Sequence, residues 1–75
     1  MTPILLFLAL DCGPCEPVAA HLSPREDVQV VLLEQRPDLF TKHDVRGVPT
    51  IVVGGDRLIG NQTRETIERF LNKNQ

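Results

Sequence analysis

The sequence contains no tryptophan, no tyrosine and only two cysteines among its 75 residues. It also lacks an excess of charge: eight basic against ten acidic side chains leave a net charge of −2. Lys and Arg are scattered rather than gathered into a stripe, which argues against a nucleic-acid partner. No apolar run is long enough to span a bilayer, since residues 4–10 give only seven where about 20 are needed. That run has no positively charged leader and no small-residue cleavage site, so it does not read as a signal peptide and the expected compartment is the cytoplasm. In that compartment a cysteine pair is more often catalytic or metal-binding than structural. There is no internal repeat, low-complexity tract or linker, so residues 1–75 read as one small domain. A hydrophobic fraction of 41% argues against disorder.

What is present is a cysteine pair spaced for one job. Cys12-Gly13-Pro14-Cys15 follows the apolar run directly, and residues 14–22 read as a helix. Cys12 then falls at a strand-to-helix corner, where free N–H groups and the positive end of the helix dipole stabilise a thiolate. Two thiols at this separation can close a small disulfide ring and reopen it, which points to dithiol–disulfide exchange. The same cysteines with His21 and His43 would make four ligands for zinc. The spacing is poor, because neither histidine forms a close second pair, and surface histidines are the simpler reading.

Residues 4–10, apolar without alternation, read as a strand covered on both faces. The helix over 14–22 turns Val18, Ala19 and Leu22 to one side and ends before Pro24. Pro17, at or just beyond its first turn, is expected to cost a hydrogen bond or bend it. A second continuous strand covers 28–33. Pro37 opens a short helix to 43, with Leu39 and Phe40 inward and Gly47 as its breaker. A strand over 48–53, a tight turn at Gly54-Gly55 and a strand over 57–59 make a hairpin. Thr63 is placed to cap a last helix carrying Ile67, Phe70 and Leu71 on one face. A cap explains Asn61-Gln62-Thr63 more simply than a glycosylation sequon does. The fold class is therefore α/β in the order β-α-β-α-β-β-α. A right-handed crossover makes the first two strands parallel, the hairpin adds an antiparallel edge, and helices cover both faces of a four-stranded mixed sheet.

A Cys-x-x-Cys opening the helix of a βαβ unit resembles the thioredoxin superfamily. Cys12-Gly13-Pro14-Cys15 is identical to the thioredoxin tetrapeptide, and Asp44-Val45-Arg46-Gly47-Val48-Pro49-Thr50 resembles the segment carrying that family's cis-proline. The length, and Val48-Pro49-Thr50-Ile51-Val52-Val53-Gly54-Gly55 followed by Leu58-Ile59-Gly60, resemble a glutaredoxin. The resemblance implies a minimal, glutaredoxin-like thioredoxin fold and a thiol-disulfide oxidoreductase that reduces protein disulfides. No cofactor is implied beyond the Cys12–Cys15 redox pair. Implied partners are disulfide-containing proteins and a recycling thioredoxin reductase-like enzyme or, as the alternative, glutathione, with the chain acting as a monomer without a membrane partner. Cys12 is then the attacking thiolate and Cys15 the resolving thiol. Gly13 leaves the corner unobstructed, and Pro14 fixes φ where a missing N–H costs little. Pro49 is expected to be cis and to face the pair, with Val48 and Gly60 completing a surface for an extended substrate.

Three positions depart from the family pattern. Leu6 stands where thioredoxins bury an Asp that helps move the resolving cysteine's proton. Asp11 stands where they place Trp before the first Cys. Asn61-Gln62-Thr63-Arg64 replaces the glutaredoxin run that binds the γ-glutamyl end of glutathione and lacks its acidic residue. Asp11 and Glu16 put negative charge near Cys12 and so disfavour its thiolate. Favouring the disulfide form makes the dithiol the better reductant, nearer a thioredoxin-type potential of about −270 mV than a disulfide oxidant's −120 mV or so. Arg46 and Arg64 flank the expected groove and are candidates for holding a substrate carboxylate, or plain solvated surface. Other functions consistent with the residues are a dedicated electron donor, for example to ribonucleotide reductase, and a redox-sensing or zinc-binding module without catalysis.

Overall fold

A computed structural model describes residues 2–74. Its elements are β1 Ile4–Leu8, α1 Cys15–Leu22, β2 Val28–Leu32, α2 Pro37–Lys42, β3 Thr50–Val53, β4 Asp56–Ile59 and α3 Arg64–Lys73. The strands form one sheet in the order β2-β1-β3-β4. β1 is parallel to β2, with Leu6 opposite Val30, and antiparallel to β3, with Phe7 opposite Thr50. β4 pairs antiparallel with β3. The α/β class and the mixed four-stranded sheet are as the sequence predicts.

Strand alternation divides the apolar side chains between two cores. Ile4, Leu6, Leu8, Ile51 and Val53 face α1 and α3, where they pack with Val18, Leu22, Ile67, Phe70 and Leu71. Phe7 and Val52 face the other way and pack with Phe40 and Val45 around α2. The Phe7 and Phe40 rings meet edge to face with centroids 4.9 Å apart. The unbroken apolar run of β1 is thus explained, because both faces of a central strand are covered.

Several boundaries differ from the sequence expectation. β1 stops at Leu8 rather than residue 10 because its parallel partner β2 ends at Leu32 and β3 begins at Thr50. Leu10 leaves the sheet and is 60% exposed, and Asp11 turns the chain with φ +53, a left-handed conformation that Asp tolerates better than most residues. β2, an edge strand, is covered only in part: Gln29 and Val30 are exposed, while Val31 packs in the core around α2 and Val28 and Leu32 pack against the other core. β3 begins at Thr50 rather than Val48, since Pro49 has no N–H to give a ladder. Pro17 costs no hydrogen bond, as it lies in the first turn of α1, where N–H groups have no intrahelical acceptor.

The end of α2 shows what sequence punctuation missed. Gly47 does not stop it; Asp44 does, with φ +54. Asp44 N–H donates to the Thr41 carbonyl at 3.2 Å and Val45 N–H to that of Phe40 at 2.8 Å. This is a Schellman cap, completed by Val45 and Phe40 in one apolar cluster. The start of α3 is as expected: Thr63 Oγ1 accepts from Thr66 N–H at 3.1 Å. Thr63→Ala should cost about 1 kcal/mol and lower the melting temperature by roughly 4–8 °C, measurable by calorimetry. An unchanged melting temperature would mean that the cap contributes nothing.

Candidate active site

The carboxyl end of β1 delivers the corner that carries Cys12, and the next helix starts at Cys15. Pro14 precedes it with φ −63 and ψ −18, already helical, so no side chain is needed to cap the helix. Cys15 N–H donates to the Cys12 carbonyl at 3.2 Å, and Glu16 N–H to that of Gly13 at 3.1 Å, which closes the corner. Cys12 and Cys15 are joined by a disulfide, with Cα atoms 5.3 Å apart. Their burial differs: Cys15 is 4% exposed within the α1/α3 core, whereas Cys12 packs only partly buried against that core. Gly13 is exposed, and a side chain there would meet nothing within the protein. The backbone does not demand glycine at that position, so its effect is to leave the approach to Cys12 clear.

The second half of the site comes from the loop into β3. The Val48–Pro49 peptide is cis, Pro49 is buried, and Val48 packs partly buried against the same core as Cys12. Register places this loop at the cysteine end of the sheet, because Thr50 pairs with Phe7 on one side and Ile59 on the other. Gly60, with φ +91, donates its N–H to the Pro49 carbonyl at 2.8 Å. It therefore braces the loop from behind, and its positive φ suits glycine. Thr50 Oγ1 donates to the Gly47 carbonyl at 2.7 Å and fixes the loop's other side. Neither the N–H nor the carbonyl of Val48 has a hydrogen-bond partner among the described residues. Cys12, Cys15, Val48, Pro49 and Gly60 are thus gathered at one end of the sheet.

Beside Cys12 lies an open groove of about 350 Å³ between the corner, α1 and the end of β2. Leu8, Ala19 and Leu32 form its floor, and Leu10, Asp11 and Glu16 its rim. Leu6 is fully buried in the core that holds Cys15, so apolar packing occupies the site of the thioredoxin Asp. A second depression, about 440 Å³, lies behind Val48 and is lined by Phe40, Val45 and Arg46.

His21 and Arg64 take other places than the sequence suggests, whereas Arg46 is solvated surface. His21 is not a free surface residue: its Nε2 lies 2.7 Å from Glu68, and Arg64 Nε donates to its Nδ1 at 3.2 Å, joining α1 to α3. His43 lies against the Phe7 ring at 5.7 Å between centroids. No group of three or more metal-ligating side chains occurs among the described residues. Arg64 is engaged with His21 in the last turn of α1, well away from Cys12, and Arg46 pairs with Asp44 on an exposed surface. Arg57, which sequence reasoning did not single out, donates to the carbonyls of His43 and Asp44 and ties β4 to the end of α2. Nothing in its local sequence signals this role, since the contact depends on the sheet order.

No family model matches the chain. It is 32% identical over 80 residues to Thioredoxin H5 of Oryza sativa subsp. japonica, an alignment covering 92% of this chain and 59% of that protein. The chain therefore spans about three fifths of the length of that relative. Among solved structures, mitochondrial thioredoxin 3 of Saccharomyces cerevisiae in its oxidized form has a TM-score of 0.74 at 26% identity, with 96% of this chain and 77% of that chain covered. Thioredoxin NaTrxh of Nicotiana alata has a TM-score of 0.71 at 25% identity, covering 99% of this chain and 74% of that one.

Proposed function

Because this chain is a member of the thioredoxin superfamily, we propose that it is a thiol-disulfide oxidoreductase that reduces disulfides in proteins. One observation carries the reading: a partly buried Cys12 is linked to a buried Cys15 at the start of α1, at the same end of the sheet as the Val48–Pro49 loop. In the reduced form the Cys12 thiolate attacks one sulfur of a substrate disulfide, and the other leaves as a thiolate and takes up a proton. The Cys15 thiol then loses its proton and attacks Cys12 Sγ. The second substrate thiol departs, and the Cys12–Cys15 disulfide remains. Two electrons have passed to the substrate, and a thioredoxin reductase-like enzyme returns two electrons and two protons to the pair.

Helix α1 supports the first step, since the positive end of its dipole favours negative charge at Cys12. The free N–H and carbonyl of Val48 suit pairing with an extended substrate segment, which gives affinity without strict side-chain selection. The pair itself is the redox group, so no further cofactor is required. The positions where a glutaredoxin binds glutathione serve local structure here: Gln62 donates to the Ile59 carbonyl, Thr63 caps α3 and Arg64 holds His21. This favours a protein reductase over glutathione as the electron source. A dithiol that must stay reduced belongs in a reducing compartment, and the cytoplasm is the one proposed. No helix among the described residues is long and apolar enough to cross a membrane.

Insulin disulfide reduction, driven in parallel by NADPH with thioredoxin reductase and by glutathione with its reductase, tests the reading. Turnover is expected with the first system; turnover only with glutathione would reassign the electron source, and none with either would reject the function. Asp11→Asn should lower the Cys12 pKa in the reduced protein, because one carboxylate beside the thiolate is removed. Thiolate absorbance titration reads this, and an unchanged or raised value would remove Asp11 from the account of Cys12 reactivity.

A further inference from the structure

Six of the ten acidic side chains are paired with a basic one. Asp27 and Glu68 pair with Arg25, Glu68 also with His21, Asp38 with Arg36, Asp44 with Arg46, Asp56 with Lys73 and Glu65 with Arg69. Among the described residues Asp11, Glu16, Glu26 and Glu34 have no such partner. Three of these four surround the groove beside Cys12. Asp11 and Glu16 line it directly, and Glu34 reaches its edge by accepting from the Leu10 N–H at 3.0 Å. No basic side chain lines this groove, and Arg46 lines the separate depression at Val48. The floor is apolar, and its volume is at the small end of ligand-sized clefts.

We propose that this groove selects the substrates of the exchange reaction, receiving a segment that carries lysine or arginine beside an apolar residue, next to the disulfide cysteine. The inference rests on the oxidoreductase reading and names the substrate class of that same site. The apolar residue meets Leu8, Ala19 and Leu32, while the cation meets carboxylates that no basic side chain pairs with among the described residues. The reduced Cys12 thiolate adds a further negative charge of the same sign. Acidic segments are disfavoured by the same charges, so discrimination comes from repulsion as well as attraction. One exposed ion pair changes an equilibrium or rate constant by roughly 1.4- to 5-fold, and three acids around one groove should together give about tenfold between a cationic and an anionic substrate.

The test uses the full chain, reduced, with disulfide-linked peptides that share a Leu beside the cysteine and differ only in a neighbouring Lys, Gln or Glu. Second-order rates of peptide reduction are compared at ionic strengths of about 0.01 M and about 1 M, where the screening length falls from about 30 Å to about 3 Å. The Lys peptide should react about tenfold faster than the Glu peptide at low salt and within about twofold at high salt. Glu16→Gln combined with Glu34→Gln should shrink the ratio, and Asp11→Asn should shrink it further. A change in Cys12 nucleophilicity cancels in this ratio, because both peptides meet the same thiolate. Equal rates for the Lys and Glu peptides at low salt, with the Gln peptide reduced normally, would overturn the substrate class and leave the oxidoreductase reading standing. Failure to reduce any peptide would overturn both.

Discussion

Replacing Cys12 with Ser is expected to bring disulfide reduction down to the uncatalysed rate, while Cys15→Ala should stop the reaction halfway with substrate covalently attached. The contrast follows from burial. Cys12 sits partly exposed at the corner, whereas Cys15 is 4% exposed beneath it, so only the first sulfur can meet a disulfide on another protein. A serine hydroxyl at residue 12 does not ionise near neutral pH and gives no nucleophile to replace the thiolate. Without Cys15 the mixed disulfide at Cys12 has no internal thiol to release it. Alanine is the better replacement there, since a serine hydroxyl would be buried among apolar side chains. Mass spectrometry under non-reducing conditions should find the Cys15→Ala protein joined to one substrate chain, and the Cys12→Ser protein joined to none. Trapping by the Cys12→Ser protein instead would exchange the two roles.

Leu6→Asp should be strongly destabilising, although it restores the residue type that thioredoxins carry there. Leu6 is fully buried in the cluster that also holds Cys15. Losing its burial costs roughly 1.5–3 kcal/mol, and placing a carboxyl there without partners adds about 1–3 kcal/mol or more. Against roughly 4–11 kcal/mol of total stability for a chain of 75 residues, this removes much of the margin. The pH dependence has a definite sign. Burial raises the folded-state pKa of the new carboxyl above its unfolded value, so the penalty is full above the raised pKa and diminishes as pH falls toward the unfolded one. Urea unfolding at pH 7 and pH 4 should therefore show a larger gap from the parent protein at pH 7. A gap independent of pH would mean that the new carboxyl remains hydrated.

The chemistry was easier to read in the sequence than its surroundings. The cysteine spacing, the Val48-Pro49-Thr50 segment and the Thr63 cap are local signals, and the structure places each where its sequence suggests. The misplaced boundaries have different physical causes. Leu10 is apolar enough for a strand, but strand length depends on a neighbour's register, which the residue itself does not encode, whereas Val48 is kept out of the ladder by Pro49. Asp44 outranks Gly47 as the stop of α2 because Val45 can pack on Phe40 only after a turn at residue 44. The groove was half visible: Asp11 and Glu16 adjoin Cys12 in sequence, but Glu34 arrives from the end of β2. His21 looked like surface because its partners, Glu68 and Arg64, lie on the last helix.

β1 and β3 occupy the middle of the sheet, and each half of the site hangs from one of them: Cys12 follows β1, and Val48–Pro49 leads into β3. β2 and β4 are the margins, each with a strand on one side only. Margins of a small sheet open locally at lower free energy than its centre. Fraying of β2 leaves the two central strands paired with each other. Glu34, by contrast, follows the marginal strand β2 and moves when that strand loosens. Bond exchange is therefore anchored to the most persistent part of the molecule, and charge discrimination in part to one of its most yielding parts. Substrate preference can then adapt by changes at the margin without disturbing the reacting sulfurs.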